Sequence, residues 1–64
     1  MTVYIEGIGK ITASTDTLNT LAMIAGDASE HYTAHEYFAL AKQAKDMDWT
    51  IYKALKKAGY YDGV

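Results

Sequence analysis

The chain has no cysteine and no arginine, and only eleven of its 64 residues are valine, isoleucine or leucine. Without cysteine there are no disulfides, no thiolate nucleophiles and no thiolate metal sites, which fits a reducing compartment. All six basic residues are lysine. The forked donor that reads phosphate and guanine edges is therefore missing, which weighs against sequence-specific nucleic-acid recognition. The longest fully apolar run, Leu21 to Ala25, is far short of the roughly 20 residues that cross a bilayer. The opening Met1-Thr2-Val3-Tyr4-Ile5-Glu6 has neither a basic start nor an apolar stretch of signal-peptide length. A soluble, cytoplasmic protein with no membrane partner is the expectation.

Scarcity of aliphatic side chains sets the second constraint. Half of the residues count as hydrophobic, yet ten of them are alanine and six are tyrosine. A chain this short buries roughly 60% of its unfolded surface, and its core supplies about 3–5 kcal/mol unless a metal or disulfide staples it. Aromatic rings must then do much of the packing, or a partner chain completes the surface. A core so short of material is also poorly placed to build a concave reactive pocket. No serine elbow, phosphate loop or paired-acid motif appears, and Gly7-Ile8-Gly9 lacks the third glycine and following helix of a dinucleotide site. The expectation is one domain over residues 1 to 64, not an enzyme, with no catalytic residue and no cofactor.

Net charge is −2, but the charge is unevenly spread. Residues 1 to 36 carry Glu6, Asp16, Asp27, Glu30 and Glu36 against Lys10, hence −4; residues 37 to 64 carry Asp46, Asp48 and Asp62 against Lys42, Lys45, Lys53, Lys56 and Lys57, hence +2. Such a dipolar surface can steer an encounter with a charged partner.

Periodicity predicts an α+β fold, a short N-terminal β-hairpin packed on two or three helices. Val3 and Ile5 alternate with Tyr4 and Glu6, then Ile11 and Ala13 with Lys10 and Thr12, across a Gly7-Ile8-Gly9 reversal. Ser14-Thr15-Asp16-Thr17 reads as a helix start, placed near Asp16, with Leu18, Leu21, Ala22 and Ala25 on one face. Gly26-Asp27 is a plausible stop, with Ala28 to His31 as an extension. Thr33-Ala34-His35-Glu36 matches a capping box that opens a second helix. Tyr37, Leu40, Ala44, Met47, Ile51, Ala54 and Ala58 then keep a 3-4 spacing, widened by Phe38 and Leu55, up to a stop at Gly59. One helix over residues 34 to 58 would be about 37 Å long. Compactness therefore favours a break near Asp46-Met47-Asp48, with a carboxylate capping a third helix.

His31 and His35 have an i, i+4 spacing, but the glutamate does not directly follow the first histidine as in the zinc-protease helix. A cap at Thr33 would also separate them, so surface histidines are the expectation and no metal is assigned. In a continuous helix Lys42, Lys45, Lys53 and Lys56 would line one stripe around Trp49, suited to phosphate and base; the commoner reading is a solvated face. Among the aromatics, Tyr37, Phe38 and Tyr52 have spacing suited to the core. Tyr60 and Tyr61 are either a lid on the domain or an exposed patch, and Tyr4 shares the outer strand face with Glu6.

The run Tyr4-Ile5-Glu6-Gly7, a turn, a strand, then Ser14-Thr15-Asp16-Thr17-Leu18-Asn19-Thr20-Leu21-Ala22 resembles the strand and leucine-asparagine-x-leucine helix start of the ArdA-type antirestriction proteins. The end, Ala54-Leu55-Lys56-Lys57-Ala58-Gly59-Tyr60-Tyr61-Asp62, is similar to the alanine-leucine-rich helix and glycine-tyrosine of those modules. The resemblance covers about half of the chain and carries over no functional residue. It implies a mobile-element protein that disables host defence, as ArdA proteins do by imitating the charge of DNA, and it fits the wider type of small phage and plasmid inhibitors that includes anti-CRISPR proteins.

The leading expectation is thus a protein-binding inhibitor that occludes a host protein or ribonucleoprotein defence complex. Its interface would draw on Tyr4, Glu6, Asp27, Glu30, Glu36, Trp49, Tyr60 and Tyr61. The alternatives are a DNA-binding regulator that uses Lys53, Lys56 and Lys57 in a C-terminal helix-turn-helix, and a homo-oligomerising module whose apolar seam pairs with a second copy.

Overall fold

Two strands precede two helices in the computed structural model, which describes residues 1–63: β1 (Thr2–Ile5), β2 (Gly9–Thr12), α1 (Thr15–Ala34) and α2 (Phe38–Lys57). The strands pair antiparallel with Val3 opposite Ile11 and Tyr4 opposite Lys10. Alternation therefore sends Val3, Ile5, Ile11 and Ala13 inward and leaves Tyr4 and Lys10 outside. Gly7 and Gly9 both take positive φ, 84° and 114°, at the reversal.

Helix α1 begins one residue before Asp16. Its N-cap is Ser14, whose hydroxyl accepts the Thr17 N–H at 3.2 Å. It then runs through Gly26-Asp27 to Ala34, past the expected stop. Gly26 is not a cap but a point of close approach: a Cβ there would lie 3.0 Å from Asp48 Oδ2 on α2.

The second helix starts at Phe38, not at Thr33, so the capping-box reading is corrected. Thr33 lies inside α1, and its hydroxyl donates to the Ser29 carbonyl four residues back, at 2.8 Å. The end of α1 is instead a Schellman motif. Glu36 occupies the left-handed position with φ 64°, its N–H reaches Thr33 O at 3.1 Å, and the Tyr37 N–H reaches Tyr32 O at 2.8 Å. Glutamate at that position hides the signal that glycine would have carried. The end of α2 repeats the pattern with its expected glycine: Gly59 has φ 85°, and the Gly59 and Tyr60 N–H groups bond Lys56 O and Leu55 O.

No break interrupts α2 at Asp46-Met47-Asp48, and no third helix lies among the described residues. Asp46 pairs with Lys42 across one turn at 3.0 Å, while Asp48 lies against Gly26. The compactness argument for a break weighed the second helix by its own length. With both helices at 20 residues, each about 30 Å long, α1 gives α2 a partner of equal length and an antiparallel pair results.

The core sits where the hairpin caps this pair. Val3, Ile5, Leu18, Ala22, Ile51 and Leu55 form the buried cluster, with Tyr60 and Tyr61 packed against it. Ala25 and Ala41 continue the buried seam toward the far end. Two aromatics expected in the core are exposed. Tyr37 precedes α2, and the helical phase turns Phe38 away from α1, while Tyr52 is half-buried. Leu40, on the expected core stripe, is also exposed.

Two outcomes test this account. Glu36→Gly is expected to raise stability by about 1 kcal/mol, because glycine adopts the left-handed position without the penalty an L side chain carries; chemical denaturation measures it. Ile51→Ala, at a fully buried site, is expected to cost about 2–5 kcal/mol, comparable to the whole stability of so small a core, so its thermal transition should lose its cooperativity.

Candidate interaction surfaces

The helix pair divides the surface into two edges, a groove on each face and a C-terminal clasp. On the outer side of α1 the polar residues stand three and four apart, as the 3.6-residue period requires of an amphipathic helix. Asp27 and Glu30 share that side with Met23, and the groove they line continues to Lys45 and Asp48 of α2. The structure thus brings two of the expected carboxylates together. It adds Asp48, which sequence reasoning placed at a helix start. Glu36 lies in the connection beyond α1, and Glu6 in the hairpin turn opens onto a separate depression with Lys42 and Asp46.

The opposite face holds an apolar groove of about 340 Å³, floored by Ala25, Ala28 and Ala44 and walled by Ile8, Ile24 and Leu40. Its origin is geometric. Four-residue strands span about 14 Å, half the length of the helices, so the hairpin covers only part of the seam. Met23 and Ile24 fall outside the Leu18-Ala22-Ala25 spacing, and that phase was the readable sign of their exposure.

Along the outer side of α2 the continuous helix lines up Phe38, Lys42, Lys45, Trp49, Lys53 and Lys56. Trp49 is 57% exposed; Tyr52 stacks on it at 5.6 Å, and Lys53 Nζ stands 5.6 Å from its ring centre. The helix-turn-helix of the DNA-binding alternative, built on a third helix, is absent among the described residues, since Lys53, Lys56 and Lys57 stand on the last turns of one unbroken helix. Tyr4, 65% exposed, stands alone on the outer sheet face opposite Lys10.

Tyr60 and Tyr61 form the lid, the first of the two expected alternatives. The Tyr60 hydroxyl donates to Asp16 Oδ1 at 2.7 Å, the Tyr61 hydroxyl donates to Asn19 Oδ1 at 2.8 Å, and the Tyr61 ring packs on Tyr52 at 5.4 Å. Their hydroxyls are therefore engaged within the fold, clasping the end of α2 to the start of α1. The bond to Asp16 raises the Tyr60 pKa above its ordinary 10.0, helped by partial desolvation and by the neighbouring negative charge.

His31 and His35 are neighbours after all, with ring centres 4.6 Å apart at the end of α1. Among the described residues no group of three or more histidines and carboxylates is placed to hold a metal ion. Among these residues no polar or charged one is buried, and none of their helices is long and apolar enough to cross a membrane. No protein-family model, curated protein or solved structure matches the chain.

The Tyr60–Asp16 bond predicts a loss of stability at alkaline pH. A pKa raised on folding contributes stability that is fully present below the unfolded value and lost as pH rises through the folded one. Thermal melts should show wild type losing stability above about pH 10, with Tyr60→Phe less stable at neutral pH and flatter over the alkaline limb.

Proposed function

We propose that this chain is a non-enzymatic protein-binding inhibitor of a mobile element, acting by covering a surface of a host restriction or CRISPR complex. The observation that carries this reading is the grouping of Asp27, Glu30 and Asp48 along one groove of the helix pair. No part of the core depends on Asp27 or Glu30, which are exposed. Carboxylates free of a structural duty are available to meet a basic nucleic-acid channel, where charge complementarity sets encounter rate and orientation. Met23, 65% exposed beside them, supplies an adaptable apolar contact of the kind used at binding surfaces. Among the described residues the ionisable side chains are not buried, so their charges are available at the surface for binding.

The test is survival of an infecting phage or incoming plasmid in bacteria that carry a restriction or a CRISPR system and express this chain. Wild type should raise survival. The combined Asp27→Ala, Glu30→Ala and Glu36→Ala variant should lose that protection by about tenfold or more while its circular dichroism and melting midpoint stay close to wild type. Equal protection by the folded variant, or none by wild type against either defence, would falsify the proposal.

A further inference from the structure

Independently of the acidic groove, we infer that the outer side of α2 binds single-stranded nucleic acid, with its lysines on the phosphates and Trp49 stacked on a base. The stripe exists only because α2 is unbroken. Positions 38, 42, 45, 49, 53 and 56 fall within a narrow sector when the helix continues through Asp46-Met47-Asp48, and they run about 27 Å along its axis. A break there would have rotated the two halves of the stripe apart.

Lysine dominates the charge along this edge, and the carboxylates beside it lie toward its two ends: Glu6 and Asp46 share a depression with Lys42, and Asp62 lies against Gly59 beyond the last turn. Asp46 neutralises Lys42 at 3.0 Å, the one ion pair among the described residues. Lys45, Lys53 and Lys56 remain, with Lys57 beside them. Lys45 shares its groove with Asp27, Glu30 and Asp48, so Lys53 and Lys56 carry most of the free charge. The overall charge of −2 does not cancel the stripe. Gly26 meets Asp48 in the antiparallel pair, so Asp27 and Glu30 stand about 9–18 Å along the axis from Lys53 and Lys56, beyond the Debye length of about 8 Å at physiological salt.

Exposed aromatics at the level of the lysines decide between polyanions. Trp49 lies between Lys45 and Lys53, about 6 Å along the helix from each, and Phe38 begins the same stripe, 64% exposed. Tyr52 and Lys53 brace the indole and reduce the entropy it loses on binding. An acidic peptide would satisfy the lysines but offers no ring face to the indole. A duplex would satisfy them too, yet its bases are stacked on one another, and this face has neither an arginine to read them nor a second helix to set it in a groove. An unpaired strand satisfies both the charge and the ring.

Trp49 is the only tryptophan, so its fluorescence reports directly on the site. Titrating the full chain with a 15-nucleotide oligothymidine should quench it, and the log–log salt dependence of affinity should have a slope of about −2, three lysines at about 0.7 each. Followed by anisotropy of a labelled oligothymidine, Lys53→Ala with Lys56→Ala should weaken binding about tenfold and flatten the slope toward about −1. Trp49→Ala should weaken it about tenfold with the slope retained. The Asp27→Ala, Glu30→Ala, Glu36→Ala chain should bind the oligonucleotide at least as tightly as wild type, since two of the lost carboxylates share a groove with Lys45, so this inference and the proposed inhibitor role fail separately. Absence of quenching, equal affinity for polyglutamate or for a duplex of the same length, or a Trp49→Ala chain that binds unchanged would each overturn it.

Discussion

Close antiparallel contact between two helices of equal length is the constraint from which the other features follow. The seam between them is built from small residues. Ala22, Ala25 and Ala41 are buried, and Gly26 meets Asp48 where a side chain would crowd it. Small residues let helix axes approach closely, so a seam poor in large aliphatic groups still excludes water. That arrangement resolves the shortage of leucine, isoleucine and valine. The four largest fully buried side chains, Ile5, Leu18, Ile51 and Leu55, are all concentrated at the end capped by the hairpin.

Economy at the core has a cost at the surface. The hairpin is too short to cover the helices along their length, so the far half of one face is left as a groove of alanine, isoleucine and leucine. The clasp at the near end works in the opposite direction. Beyond the left-handed Gly59, Tyr60 and Tyr61 turn back over the core and give their hydroxyls to Asp16 and Asn19. Two half-buried rings there do work that larger aliphatic side chains do in richer cores, with each polar tip satisfied.

The same pairing separates charge. Asp27 and Glu30 lie toward the far end of α1, where they share a groove with Lys45 and Asp48, and Lys53, Lys56 and Lys57 stand on the last turns of α2 at the near end. The antiparallel pair thus sets these two groups apart along a flattened body measuring 37 × 26 × 15 Å. A charge asymmetry along the sequence thereby becomes one along the molecule, and the two ends can meet partners of different chemistry.

Local chemistry in the sequence determined much of this protein. Glycines at the hairpin reversal, a helix start within Ser14-Thr15-Asp16-Thr17, the Leu18-Ala22-Ala25 face and the Gly59 stop were all legible because each acts within a few residues of itself. Asp27 and Glu30 were legible as surface carboxylates for the same reason. Tertiary structure alone decided the rest. Whether Gly26 ends a helix or admits a neighbour depends on Asp48, 22 positions away; whether Asp46-Asp48 breaks α2 depends on how long α1 is; and whether Tyr60 and Tyr61 are lid or patch depends on Asp16 and Asn19. Each of those choices is nearly balanced in local free energy, so a contact made only after the chain folds back on itself tips it.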